Sequence, residues 1–262
     1  MKDSAAIRVG CAGWSIPSAC APAFGAGESA LQRYATRFSV VEINSSFYRP
    51  HQPATYARWA AAVPADFRFS VKMPRTISHE HRLQGTGALL DRFLDESAHL
   101  GTRLGGLLLQ LPPSLAFDAR RVAAFLQMLR RRTAVAVVCE PRHLSWFEAE
   151  AEALLQRHDV ARAAVDPALV AAAALPAAAA GWRYWRWHGS PRMYYSAYGD
   201  DALADLAATA GADRAGGTSW VIFDNTAQGF AVGNALHLQA LLRGEAPTPA
   251  ATPSRAQERT DA

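Results

Sequence analysis

The stretch VVEINSSFYRP (Val40–Pro50) decides how the chain is read. It opens with apolar, largely β-branched residues, the mark of a buried strand. Strand side chains alternate between faces, so Glu42 and Asn44 fall on one side and Val41 and Ile43 on the other. A carboxylate and an amide at the end of a buried strand are costly unless they meet partners or water. The same design, an apolar run ending in polar groups on one face, recurs along the chain.

Working outward, the pattern predicts strands at Ile7–Trp14, Val40–Phe47, Phe67–Met73, Gly106–Leu111, Val135–Glu140, Ala161–Asp166, Trp182–His188 and Ser219–Asn225. In the third, Phe67, Phe69 and Val71 share one face and Arg68, Ser70 and Lys72 the other. In the seventh, Tyr184, Arg186 and His188 oppose Trp185 and Trp187. Helical periodicity follows most strands, at Thr55–Val63, Leu89–Leu100, Ala119–Arg131, Asp200–Gly211 and Val232–Leu242, with Ser29 placed to cap a helix through Phe38. Ala168–Gly181, nearly all alanine, reads as a low-complexity insertion or a weak helix. Strand–helix alternation through eight units implies parallel strands and a single α/β domain, a (β/α)8 TIM-like barrel over residues 1–243 with a disordered tail at 244–262.

Such barrels carry their chemistry at the C-terminal strand ends. There the alternation places Glu42, Lys72, Gln110, Glu140, Asp166, Arg186 with His188, and Asp224. Any one of them could be a structural hydrogen-bonding group; their shared position at one end argues for a site. Of the 27 Lys and Arg residues only Lys2 and Lys72 are lysine, so an amine inside a strand stands out. Unlike Arg, Lys can lose its proton and act as nucleophile or acid/base.

The bulk composition excludes several classes. The net charge of +4 and pI near 9.2 are basic but diffuse, with no block of five like charges. No 18-residue apolar run and no signal-peptide core are present, so a cytoplasmic protein without a membrane span is expected. Three cysteines without CxxC spacing suggest a reducing compartment and no zinc ribbon.

The pieces VGCAGW, VVEINSSFYRP, FRFSVKMPRTISHEHRL, LLLQLPPS, CEPRHLSWF, YWRWHGSP and FDNTAQGFAVGNA, in this order, resemble the YecE-like family, also called domain of unknown function 72. The resemblance spans about residues 7–243. It implies a TIM-barrel-like fold and leaves the activity unassigned. Positions matching the family's motifs are Glu42, Asn44, Tyr48, Lys72, Gln110, Glu140, Arg142, Trp146, Arg186, His188, Gly189, Asp224 and Asn225. Many relatives have Asn where this chain has Asp224, so the position carries an added carboxylate.

Four functional readings compete. The first is an enzyme with hydrolase- or lyase-type acid/base chemistry on a small phosphate- or anion-bearing ligand. Glu140 would be its base and Lys72 its electrostatic stabiliser or, alternatively, a Schiff-base amine; Glu42, Asp166 and His188 complete the catalytic set. Trp14, Asn44, Tyr48, Gln110, Arg142, Trp146, Arg186, Asp224 and Asn225 would bind the ligand, with Arg192 as a further fork. The second is nucleic-acid binding or processing, with Trp14, Phe47, Tyr48, Trp146, Tyr194 and Tyr195 stacking on bases. The third, a divalent metal on Glu42, Glu140, Asp166, His188 and Asp224 near His79 and His81, lacks a recognised ligand spacing; no cofactor is expected. The fourth, a scaffold without catalysis, predicts charges that cancel and leave no room for a ligand.

Overall fold

The computed structural model describes residues 7–177, 179, 181–212 and 217–245. The chain runs β1 (Ile7–Cys11), α1 (Ala30–Ala35), β2 (Val40–Ile43), α2 (Pro53–Ala61), β3 (Arg68–Lys72), α3 (Gly87–Ala98), β4 (Leu104–Gln110) and α4 (Ala119–Arg130). It continues β5 (Val137–Glu140), α5 (Ala149–Arg157), β6 (Val160–Arg162), β7 (Ala164–Asp166), β8 (Trp182–Trp187), α6 (Asp200–Ala212), β9 (Thr218–Phe223) and α7 (Phe230–Leu242). Ser29 caps α1 as expected, in a reciprocal box with Gln32 at 3.2 and 3.0 Å.

All paired strands are parallel, in two sheets ordered β1-β9-β8-β7 and β2-β3-β4-β5-β6. The continuous eight-stranded ladder expected from the sequence is not formed. The segment expected as one strand at Ala161–Asp166 divides at Ala163, its first half pairing with β5 and its second with β8. Ala163 keeps the halves adjacent by donating its N–H to the Cys139 carbonyl at 2.8 Å. On the opposite side β1 and β2 share a bridge at Ala12–Glu42, with Gly13 N donating to Glu42 O at 2.9 Å. Gly10 permits that approach: a Cβ there would lie 2.2 Å from the Val40 carbonyl oxygen.

Alternation sorts the core into two layers. The outer one packs Val41, Ile43, Phe69, Val71, Leu107, Leu109 and Trp185 against helix residues such as Tyr34, Phe93, Phe125 and Leu238. The inner one draws on both sheets, with Val40, Leu108, Val138, Ala161, Trp182, Tyr184, Trp220 and Ile222. Two indoles fill much of this inner space, Trp182 and Trp220 meeting edge to face at 5.2 Å. β4 makes room for them, because its glycines present no side chain. A Cβ on Gly106 would lie 2.3 Å from the Trp182 ring, and one on Gly105 2.4 Å from Trp220. Of the alanine-rich insertion, the structure shows a short 3-10 turn at Ala171–Ala174 and bridges from Ala177 to Arg162 and Ala179 to Trp182. The expected C-terminal tail lies outside the described residues beyond 245.

Strands end a little earlier than the periodicity suggested. β2 stops at Ile43, and Asn44 enters a helical turn (φ −85°, ψ −23°) instead of extending the strand. Ser46 drives the turn: its hydroxyl lies 3.0 Å from Ile43 O and 2.6 Å from Lys72 O. Asn44 therefore leaves the strand that carries Glu42, though both border one cavity. The inner glycine–indole fit makes a stability prediction. Gly106→Ala should lower the urea midpoint by an amount equivalent to about 1–3 kcal/mol. Adding Trp182→Leu should recover part of the loss, whereas no recovery would show that this contact does not set the strain.

Candidate functional site

The strand ends converge on one buried cation. Arg186, on the inner face of β8, has 0% exposure and three carboxylate partners delivered by three different strands. Glu42 from β2 takes Nη2 at 2.7 Å and Nε at 2.9 Å. Glu140 from β5 takes Nη1 at 3.0 Å, and Asp224, just past β9, lies 2.8 Å from Nη2. Tyr184, two residues back on the same face of β8, donates its hydroxyl to Glu42 at 2.8 Å and stands 2.8 Å from Ser70 of β3. Burial alone would push the Arg186 guanidinium down, but Asp224, Glu42 and Glu140 outweigh it and hold it well above its ordinary value.

A second tier lies toward the surface. Arg142 donates Nε to Glu140 at 2.6 Å, and its Nη2 stands 2.7 Å from His188 Nε2. The other ring nitrogen of His188 is 3.1 Å from Asp224. Burial raises the Glu140 carboxyl, yet Arg142, Arg186 and His188 together hold it well below the usual carboxylate range. Asp224 is likewise held down, with Arg186 and then His188 overcoming burial. Tyr194 meets the His188 ring edge to face, with centroids 5.6 Å apart. Its backbone is left-handed (φ 68°) and anchored by its N–H on the His188 carbonyl.

Lys72 is the exception. It is 4% exposed at the end of β3, yet among the described residues its amine makes no hydrogen bond or ion pair. It rests over the Phe47 ring at 4.3 Å. Burial first, then Arg186, bring its pKa from 10.5 down to about 8, against the pull of Glu42, Glu140 and Asp224.

Three carboxylates thus face Arg186, Arg142 and Lys72, and the formal charges balance. Among the described residues no group of three or more His, Cys, Asp or Glu side chains is arranged to hold a metal. The physical reason is visible: Glu42, Glu140 and Asp224 all turn to Arg186, which occupies the place a cation would need. The cancelling charges match one expectation of the non-catalytic reading. Its other expectation, no room for a ligand, is not met at the edge of the cluster. There a cavity of about 340 Å³ is lined by Gly13, Trp14, Glu42, Asn44, Ser45 and Tyr48, among others.

The expected site residues divide accordingly. Glu42, Lys72, Glu140, Arg142, Arg186, His188 and Asp224 meet in the cluster, and Trp14, Asn44 and Tyr48 border the cavity beside it. Gln110, half-buried at the end of β4, is the register partner of Glu140. Asp166 does not join the acids; it accepts from Tyr198 at 2.8 Å. Trp146 is buried to 1% and donates to Leu115 O at 2.8 Å, which makes it a packing residue instead of a ligand contact. Asn225 is also buried, its amide tying Ser196 O to Asn234 at 2.9 and 2.8 Å. Arg192 lies exposed over Tyr195 at 4.2 Å, away from the acids. His79 stands edge-on to Phe47 at 5.0 Å. Sequence reasoning passed over Tyr184 and Ser70 as site groups, although their alternation with Arg186 and Lys72 was the signal that would have found them. Tyr194 was named only as a stacking aromatic, because its place depends on a loop backbone.

The chain matches the family model described as protein of unknown function DUF72 over residues 8–258. It is 34% identical over 123 residues to the UPF0759 protein YecE of Escherichia coli K12, covering 47% of this chain and 43% of that one. Identity to the UPF0759 protein YunF of Bacillus subtilis is 27% over 150 residues, covering 54% of this chain and 52% of that one. The matched segments thus span about half the length of these curated relatives. A DUF72 family protein from Enterococcus faecalis superposes with a TM-score of 0.76 at 22% identity, covering 91% of this chain and 96% of that one. One from Thermotoga maritima gives 0.74 at 23%, covering 90% and 99%. At such identities the structures speak for the fold alone. With a family model matched from the first strand past the last helix, the chain belongs to the DUF72 family.

Proposed function

We propose that the protein is an enzyme with hydrolase- or lyase-type acid/base chemistry on a small anionic ligand at the strand-end mouth, with Lys72 as the proton-transferring amine. The reading includes a finer view of the architecture, in which the two sheets act as one (β/α)8-type barrel. The inner cluster shared by both sheets and the bridge at Ala12–Glu42 support that view.

The observation that carries the reading is Lys72: a buried amine without an ion pair among the described residues, within the field of Glu42, Glu140 and Asp224, with its pKa brought down to about 8. A group titrating near neutral pH both takes and returns a proton readily. Glu140, first assigned as base, is the weaker choice. Locked between Arg142 and Arg186 and held far down, it has little affinity for a proton. The roles are therefore exchanged, with Glu140 as fixed charge and Lys72 as acid/base. Arg142, whose side chain is 14% exposed, is the cluster guanidinium nearest solvent and the natural contact for an anion.

The Lys72 shift fixes the sign of a stability effect. Its amine holds a proton less firmly folded than unfolded. Stability therefore carries the full penalty below about pH 8 and recovers it as pH rises from about 8 to 10.5. Lys72→Met should raise stability at pH 7 by on the order of 3 kcal/mol, converted from that shift, and lose the advantage near pH 10.5. Urea titrations at pH 7 and 10 measure this; a destabilised variant would mean that the cluster needs the cation.

Glu140→Gln should behave oppositely, losing about 3–5 kcal/mol because two guanidinium groups lose a shared anion. A turnover screen of small phosphorylated and carboxylated compounds, run on wild type and Lys72→Met in parallel, tests the chemistry. Compounds consumed by the wild type and left intact by the variant support the reading. Equal consumption by both would remove Lys72 from the reaction.

Nucleic-acid binding has one observation in its favour, the exposed Tyr48, Tyr194 and Tyr195 on the mouth face. Two of its other expected stacking residues, Phe47 and Trp146, are buried. Retention of single-stranded or duplex oligonucleotides at low salt decides between the two readings.

A further inference from the structure

Beside the charged cluster, the turn that ends β2 carries a second arrangement of chemical groups. Ser45 Oγ lies 2.8 Å from His51 Nε2. Ser45 is exposed and faces the 340 Å³ cavity together with Asn44, Glu42, Trp14 and Tyr48. The imidazole is held edge-on between Trp59 at 5.0 Å and Tyr56 at 5.8 Å, so its ring plane is set by packing. Burial first and Arg49 next lower its pKa, against Glu96. That direction favours the neutral ring, and in its Nδ1–H tautomer the Nε2 lone pair faces the Ser45 hydroxyl. Among the described residues Asn44 Oδ1 is buried without a hydrogen-bond partner, and its amide nitrogen makes no hydrogen bond.

We propose that Ser45 and His51 form a nucleophile–base dyad serving the strand-end cavity, a centre separate from Lys72 whose substrates are small uncharged carboxylic esters. The arrangement has the two parts that activation of a serine needs, a hydroxyl in solvent reach and a neutral imidazole within hydrogen-bond distance. In the reaction Ser45 Oγ attacks the ester carbonyl carbon, forming a C–O bond while His51 Nε2 takes the hydroxyl proton. The carbonyl π electrons move to its oxygen, for which the Asn44 amide is the nearby donor. On collapse the C–O bond to the alcohol breaks, and the alcohol leaves with the proton from His51. Water then cleaves the acyl-serine by the same steps, giving the carboxylic acid and free Ser45. The preference for uncharged esters follows from the lining: the cavity's one charged side chain among the named residues, Glu42, is paired with Arg186 and accepts a hydrogen bond from Tyr184. Walls of Trp14 and Tyr48 suit an apolar or planar acyl group.

An alkyl fluorophosphonate tests the dyad directly, since serine attack on phosphorus expels fluoride and leaves a stable adduct. Peptide mass spectrometry of the labelled full-length protein should place the adduct on Ser45, and Ser45→Ala should abolish it. His51→Gln should slow labelling on the order of 100-fold, the size of a general-base contribution. The adduct's position, on Ser45 and not on Lys72, separates this proposal from the reading of the charged cluster. Thermal melts establish that each variant is folded. If Ser45→Ala does not fold, the adduct position in the wild type and the His51→Gln rate still decide. No adduct on the wild type, an adduct elsewhere, or a His51→Gln rate equal to that of the wild type would overturn the dyad.

Discussion

A guanidinium with no access to water organises this protein. Arg186 can remain charged in the interior only because Glu42, Glu140 and Asp224 surround it, and each comes from a different strand. Two of these acids lie in the sheet opposite to its own. The ion pairs therefore bridge the seam where backbone pairing is interrupted, and the two sheets are held in register by charge as well as by the inner apolar cluster. A pairing of this kind contributes little net stability relative to an apolar core, but it is severe toward alternatives. Any arrangement that misplaces one strand leaves a buried charge without its partner.

That constraint explains the contrast between the two buried cations. Arg186 has five donors in a fixed plane and uses them on three acids. Lys72, on β3 of the other sheet, rests over the Phe47 ring and, among the described residues, makes no hydrogen bond to a carboxylate. Its charge is opposed by desolvation and by Arg186 itself. One cation has become a structural centre, and the other is left poised between protonation states. The same geometry accounts for the lack of a metal-binding group among the described residues, because the acids that would coordinate an ion are turned inward to the arginine.

Most of the cluster was legible from alternation alone. Glu42, Lys72, Glu140, Arg186 and His188 fall at strand ends on one face because the strand period is two. Reading failed where that period stops. Asn44 left the strand when Ser46 turned the backbone. Trp146 and Asn225 looked like ligand contacts because they sit in loops beside the site. Their partners Leu115 and Ser196 are distant in the sequence and turn both residues into packing and loop-tying groups. Asp166 satisfied the alternation rule and still missed the cluster, because Tyr198 from a later loop claimed its carboxylate.

The sequence by itself determined the order of elements, the parallel sense of the strands and which face of each carries polar groups. These follow from local periodicity and from connections too long for hairpins. Only the tertiary structure decided that the strands divide into two sheets, that Glu140 is locked by two arginines while Lys72 has no ion pair among the described residues, and that Ser45 finds His51. Those outcomes rest on distances of a few ångströms between residues far apart in the chain or across a turn. The spacing of letters along a strand carries no information about which carboxylate reaches a cation first.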